Sequence, residues 1–321
     1  FLLAFSTTFV FWSSNLKAVR AIGDSDNQGK TYGFFYSAQG LISIVINNIW
    51  LFTFNSFADQ QLGLRVILIG NATMNLIAGL ACHFMLEDPP KVSAAERANN
   101  PNAFQLKKVV DVVKNPLVWF IALMLFCAYG LYQNSFYYSN YLVNVKGMDS
   151  YWGSQFSLIR VTYMMCVASY IGGFFADKLK STVKMFAICG TCAGVAAFAM
   201  LALMYTDINV FVLGVLSLLP SAFMLAVYGL ASSLYEEFKI PLAYTGTAIG
   251  LVSIVGYTPD LFFGPLLGGF LDRQGDAGYA TIFAFYAGLC VALLLLSLVA
   301  LKLKNSRLRK EETSSAEASA R

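Results

Sequence analysis

Apolar residues in this chain come in long unbroken runs, not in strand-like alternation or one-faced helical stripes. Residues 31–58, 115–145, 185–206, 208–235 and 277–301 contain no Asp, Glu, Lys or Arg. Each is longer than the roughly 20 residues a helix needs to cross a bilayer core. Four further runs read the same way: 1–16 is short, 66–86 carries His83, 150–176 carries Arg160 and 240–271 carries Asp260. Lipid offers no partner for backbone amides, so a spanning segment is either a helix or a strand of a closed barrel. Runs of this length without alternating polarity exclude barrel strands. The pattern predicts an all-α polytopic membrane protein with nine transmembrane helices.

The composition agrees: 57% of the 321 residues are hydrophobic and 12% charged, against about 25% charged in a soluble domain. The charges fall in the connections. Labelling these alternately from the first, one set holds eighteen of the 22 basic residues, among them Lys17, Lys91, Lys107, Lys108, Lys114, Lys178, Lys184 and Lys302. The other set holds Arg65, Lys146 and Arg273. Basic loops stay in the cytoplasm, so the C-terminus is expected there, and nine spans then put the N-terminus outside. The longest polar connection, 87–115 (EDPPKVSAAERANNPNAFQLKKVVDVVKN), predicts a cytoplasmic loop with a helix over AFQLKKVVDVV. It separates three helices in 1–86 from six in 116–303, and the charged, low-complexity residues 304–321 predict a disordered cytoplasmic tail. The chain opens at Phe1, already inside an apolar run, and is expected to be a fragment that does not transport by itself.

Two short motifs carry a family resemblance. After the fifth span the sequence reads GGFFADKLKSTVK, with Gly173, three residues, then Asp177-Lys178; after the eighth it reads GGFLDRQG, with Gly268, three residues, then Asp272-Arg273. The first resembles the G-x-x-x-D-[RK] loop of the major facilitator superfamily, without that pattern's later glycine and paired basic residues. The second repeats the spacing three spans later on the opposite side, as inverted triplet repeats require. The resemblance implies helices 4–12 of a twelve-helix fold, with the first three absent. It also implies a latch at Gly173, Asp177, Lys178, Gly268, Asp272 and Arg273. There the glycine would let helix ends approach, and the Asp would pair with a base or cap a neighbouring helix. The segments FWSSNLKAVRAIGDSDNQGKTYGFFYSAQG and GTAIGLVSIVGYTPDLFFGPLLGGFLD resemble bacterial anion and sugar-acid porters.

Arg160 is the chemical centre of the sequence. A charge at bilayer depth costs about 2.5–3.5 kcal/mol on insertion scales, so it persists where something requires it. At about 1.5 Å per residue, Arg160 lies about 14 Å from the helix end near Tyr151 and Asp260 about 18 Å from Asp272, both near the midplane. The resemblance puts the two helices in equivalent repeat positions lining a central cavity. An Arg160–Asp260 pair is therefore expected, with Arg160 offering bidentate recognition of a carboxylate, phosphate, sulfonate or nitrate. Asp260 would neutralise it when empty or take up a proton, and the two ends of that pair tie two helices together in any case. Gly256 and Pro259 predict a bend beside Asp260. Polar residues at helical spacing extend the candidate substrate site to Tyr163, Gln133, Tyr129, Gln39, Tyr36 and Asn15.

The reading is a secondary transporter for a small, anionic solute, working by alternating access, with H+ or a counter-solute as its partner. It would be a monomer in the bacterial inner membrane, with no cofactor and no nucleic acid. No G-x-x-x-x-G-K-[ST] loop is present for an ATPase, and one His and scattered Cys offer no catalytic cluster, so it is not read as an enzyme. The alternatives are a non-transporting adaptor or sensor on the same fold, and a transporter of neutral sugars or drugs.

Overall fold

The computed structural model describes residues 28–85, 106–231 and 233–319, and all regular structure among them is helical. Eight of the nine predicted spans fall on described helices; the first, 1–16, lies outside the described residues, as does Asn15. The chain divides into two units, Phe1–Ala98 and Asn99–Arg321.

The first unit contains α1 (Gln28–Asn55) and α2 (Gln60–Met85). The turn between them is closed by Asp59, whose side chain accepts from the Gln61 amide at 2.9 Å. A polar clasp joins the two helices, Trp50 Nε1 donating to Asn71 Oδ1 at 3.2 Å. Gly70 makes room for it, since a Cβ there would lie 2.3 Å from the Trp50 ring. Elsewhere α2 exposes Leu68, Ile69, Leu76, Ile77 and Leu80, a surface suited to hydrocarbon. The side chains of Tyr36 and Gln39 are not among those described.

The second unit begins with α3 (Leu106–Lys114), inside the segment expected to be helical. Asn115 then caps α4 (Pro116–Gln133) by accepting from the Leu117 amide, and Pro116 supplies a preformed first turn. There follow α5 (Phe136–Asn144), α6 (Ser150–Leu158), a π-helical turn (Ile159–Tyr163), α7 (Met164–Leu179), α8 (Thr182–Leu203), α9 (Val210–Tyr228), α10 (Ser233–Glu237), α11 (Leu242–Gly256), α12 (Pro259–Gln274) and α13 (Gly278–Ser319). The core lies where α8 packs on α9 and α13, and α4 on α9, α11 and α13. Phe186, Cys189 and Ala193 of α8 are buried there with Phe283, Tyr286 and Cys290 of α13.

Two predicted spans are broken helices. The 240–271 span bends at Tyr257–Thr258, between α11 and α12, as Gly256 and Pro259 predict. The 115–145 span breaks at Asn134–Ser135 without either residue type. The tail departs from expectation: α13 runs 42 residues to Ser319, so residues 304–319 extend a helix instead of forming a disordered tail. That stretch has no Gly or Pro and is rich in helix-forming Ala, Glu, Lys and Arg.

The close helix approach near the first motif falls on Gly172, not on Gly173. A Cβ on Gly172 would lie 2.5 Å from the Ala226 carbonyl oxygen of α9, whereas one on Gly173 would meet nothing nearer than Leu230 Cδ2 at 3.9 Å. In the second motif a Cβ on Gly268 would meet Tyr137 Oη at an ordinary 3.8 Å. Of the two motif glycines, only Gly172 therefore sets the α7–α9 approach. Gly172→Ala is expected to lower stability by about 1–3 kcal/mol through overpacking against backbone. Gly173→Ala, one residue away, should be neutral or slightly stabilising because it removes helix-interior glycine. Thermal unfolding of both variants in detergent checks the contrast; equal effects would refute it.

Candidate functional site

Arg160 sits on the π-helical turn and is fully buried. Its Nε donates to the Ser217 carbonyl at 3.3 Å and its Nη2 to Ser217 Oγ at 2.6 Å. Nη1 donates to the Ser135 carbonyl at 3.3 Å and to Ser139 Oγ at 2.9 Å. The guanidinium carbon stands 5.6 Å from the centre of the Tyr138 ring. These bonds use four of the five guanidinium N–H groups, and every acceptor is neutral.

Acceptors gather at the break between α4 and α5, where carbonyls take a second donor: Ser135 O accepts the Tyr138 amide and also serves Arg160, and Asn134 O accepts the Tyr137 amide and also Tyr286 Oη of α13. On α9, Pro220 lacks the N–H that would bind the carbonyl of Leu216, loosening the turn beside Ser217. Ser217 Oγ also donates to the Gly214 carbonyl at 2.6 Å, so it turns its lone pairs toward Arg160. Two hydroxyls in this neighbourhood, Tyr138 Oη and Ser221 Oγ, are buried and have no hydrogen-bond partner. Ser221 is one helical turn from Ser217 on the same face.

The expected ion pair is not formed. Asp260 is exposed in the first turn of α12, where its Oδ2 accepts from Tyr129 Oη at 2.7 Å. Among the described residues no carboxylate lies within ion-pair distance of Arg160. Similar depth along two helices fixes only one coordinate; the helix faces carry Arg160 toward α5 and α9 and Asp260 toward α4.

Around Asp260 four tyrosines meet. Tyr129 packs edge-on to Tyr132 (5.3 Å between centres) and Tyr257 (4.7 Å), and Tyr132 lies 4.9 Å from Tyr228. The Tyr228 and Tyr257 hydroxyls are 3.3 Å apart. The bend between α11 and α12 thus sets a carboxylate among phenols from α4 and α9. Of the other predicted site residues, Tyr163 lies half-buried on the π-helical turn and Gln133 is exposed at the end of α4. Among the described residues no group of three or more His, Cys, Asp or Glu is placed to hold a metal ion.

At the latch positions Lys178, Asp272 and Arg273 are exposed, and the Asp177 side chain lies outside those described. The N-terminus of α8 is capped by Glu237, a residue the sequence did not single out. Its carboxylate accepts from Ser181 Oγ (2.6 Å), the Thr182 amide (2.5 Å), the Val183 amide (3.1 Å) and Lys304 Nζ (2.7 Å). An anion at a helix N-terminus and a cation on α13 thereby share one residue. The available signal was the Ser181-Thr182 helix start together with the acidic pair Glu236 and Glu237 at the end of α10.

Comparison with known proteins follows the same lines. The sequence model of the Major Facilitator Superfamily matches residues 1–259. The chain is 25% identical over 277 residues to the Escherichia coli (strain K12) inner membrane protein YqcE, covering 84% of this chain and 64% of that protein. It is 26% identical over 309 residues to the inner membrane protein YihN of the same organism, covering 96% of this chain and 73% of that protein. The chain thus spans about two thirds of the length of the relatives it matches.

Glu237 gives a pH prediction. Burial alone would raise its pKa, but the Lys304 and Ser181 hydrogen bonds, the Lys304 charge and the Val183 amide together hold it below the ordinary value of 4.5. A depressed carboxylate pKa stabilises the fold above the unfolded value and loses that contribution as pH falls through the folded one. Glu237→Gln should therefore cost about 1–3 kcal/mol at pH 7. The difference from wild type should hold down to about pH 4.5 and shrink below it. Thermal unfolding from pH 7 to pH 3 reads this directly; a pH-independent difference would remove the charge from the explanation.

Proposed function

The chain belongs to the Major Facilitator Superfamily, and from that membership we propose that the protein is a secondary transporter moving a small anionic solute across a bacterial cell membrane by alternating access. The observation that carries the anionic preference is a buried guanidinium whose partners among the described residues are all neutral. An internal carboxylate would cancel its field; hydroxyls and carbonyls orient it without cancelling it. The fifth N–H and the orphaned hydroxyls of Tyr138 and Ser221 supply donors for an anion's oxygens. A π-helical turn is frequent at functional sites, and here it carries the cation itself. Asp260, held by Tyr129 and exposed, is the group proposed to take up a coupling proton. The loop charges support a cytoplasmic C-terminus.

The tyrosines around Asp260 favour a second reading, in which a neutral polyol or an organic cation stacks on the rings while the carboxylate accepts its hydrogen bonds. The two readings make opposite demands on two side chains.

Uptake of labelled anions, polyols and cations into proteoliposomes separates them. Arg160→Lys keeps a charge but loses the planar fork, and Arg160→Ala removes both. Anion uptake should fall at least about 30-fold in kcat/KM for Arg160→Ala and substantially for Arg160→Lys. Because Arg160→Ala also strands its serine partners, the folded state of each variant is checked by size-exclusion profile, and ligand-induced thermal stabilisation is measured on Arg160→Lys. Full anion uptake by folded Arg160→Lys would overturn the anionic reading.

Asp260→Asn addresses coupling. It should abolish uptake driven by a pH gradient while sparing solute exchange at equal pH. Loss of both, with intact pH-driven uptake in Arg160→Lys, would move the solute itself to the tyrosine cluster.

A further inference from the structure

Helix α3 is not needed to cross a membrane, yet its pattern is specific. At about 100° per residue, Leu106, Val109, Val110, Val112 and Val113 cover one face of the helix and Lys107, Lys108, Asp111 and Lys114 the other. The protein covers only one edge of the apolar face. Val112 is buried, where α3 packs on α4 and α11. Val110 and Val113 remain 47% and 42% exposed. Trp119, exposed at the start of α4, joins them: its indole Nε1 donates to the Val113 carbonyl at 2.8 Å. An indole bonded to a helix carbonyl beside two bare valines forms a continuous apolar ledge, bordered by Lys114, which is exposed.

We infer that α3 lies in the plane of the membrane interface and binds anionic phospholipid, its valines and Trp119 resting on acyl chains and its lysines on headgroup phosphates. A helix with this division of residues, basic on one side and apolar with Trp on the other, fits the headgroup boundary and no deeper. A water-facing surface would leave the ledge hydrated, and a protein partner would need no excess of positive charge beside it. The helix carries three lysines against one aspartate, Asp111. That excess matches an anionic surface, where each lysine near the headgroups contributes about fivefold in affinity.

The test uses Trp119 as its own reporter. Trp12, Trp50 and Trp152 are replaced by Phe, and the protein is placed in nanodiscs of phosphatidylcholine containing a fixed fraction of brominated phosphatidylglycerol or brominated phosphatidylcholine. Bromine quenches the indole only at contact. Brominated phosphatidylglycerol is expected to quench Trp119 at several-fold lower mole fraction than brominated phosphatidylcholine, with the preference shrinking in high salt. Lys107→Gln/Lys108→Gln/Lys114→Gln, which keeps helix-forming residues, should erase the preference while leaving quenching by both lipids. Equal quenching by the two lipids in the parent protein would overturn the anionic preference, and no quenching by either would overturn the interfacial placement. Neither outcome bears on transport, so this inference and the proposed function fail separately.

Discussion

A guanidinium buried at bilayer depth demands acceptors, and the second unit is arranged around that demand. Ordinary helices have none to give, since every interior carbonyl is already bonded within its own helix. Carbonyls that accept a second donor and small hydroxyls supply them here: Ser135 O, which also accepts the Tyr138 amide, Ser139 Oγ, and Ser217 through both its oxygens. Charge-assisted hydrogen bonds are worth roughly 1.5–3 kcal/mol each, so Arg160 ties the break between α4 and α5 and the middle of α9 to its own π-helical turn.

Neutral acceptors have a consequence that a carboxylate would not. Two opposite charges 4 Å apart attract by about 4 kcal/mol at an effective dielectric of 20. If Asp260 occupied that position, the attraction would be spent within the protein. Asp260 bonds to Tyr129 instead, so among the described residues no carboxylate takes up that attraction. The two charged residues are still linked through one span: Tyr129 lies before the break at Asn134 and Ser135 within it. Tyr286 of α13 bonds the Asn134 carbonyl and Asn134 Nδ2 donates to Gly130 O at 3.0 Å, fixing the break from both sides. A shift at this joint would move the partners of Arg160 and of Asp260 together.

Much of this was legible in the sequence, and the misses share one cause. Spans are legible because twenty apolar residues in a row have few other fates. The bend before Asp260 was legible because Gly256 and Pro259 act locally. The break at Asn134–Ser135 was not, since neither residue breaks a helix by itself; the tertiary bonds from Tyr286 and Arg160 stabilise it. The Arg160–Asp260 pairing failed for the same reason that Gly173 was chosen over Gly172. Counting residues gives depth along a helix but not the rotation about its axis, and one residue turns the face by about 100°. The serines at 135, 139, 217 and 221 were the overlooked signal. Small hydroxyls spaced by four inside apolar runs mark a face that serves a polar group.

Glu237 shows what a completed charge looks like in the same unit. Its carboxylate meets a lysine, two backbone amides and a hydroxyl at a helix end, so its hydrogen-bonding capacity and its charge are both answered by the protein. Nothing remains there for a ligand to satisfy, and its role is to hold α8, α10 and α13 together. At Arg160 the hydrogen bonds are nearly complete but, among the described residues, no carboxylate meets the charge, and two hydroxyls nearby stay unpartnered. The difference is chemical, not positional. A carboxylate whose charge and hydrogen bonds are both matched internally has nothing left to offer a solute, and that is why the proposed function rests on Arg160, whose charge meets only neutral acceptors among the described residues, and not on Glu237.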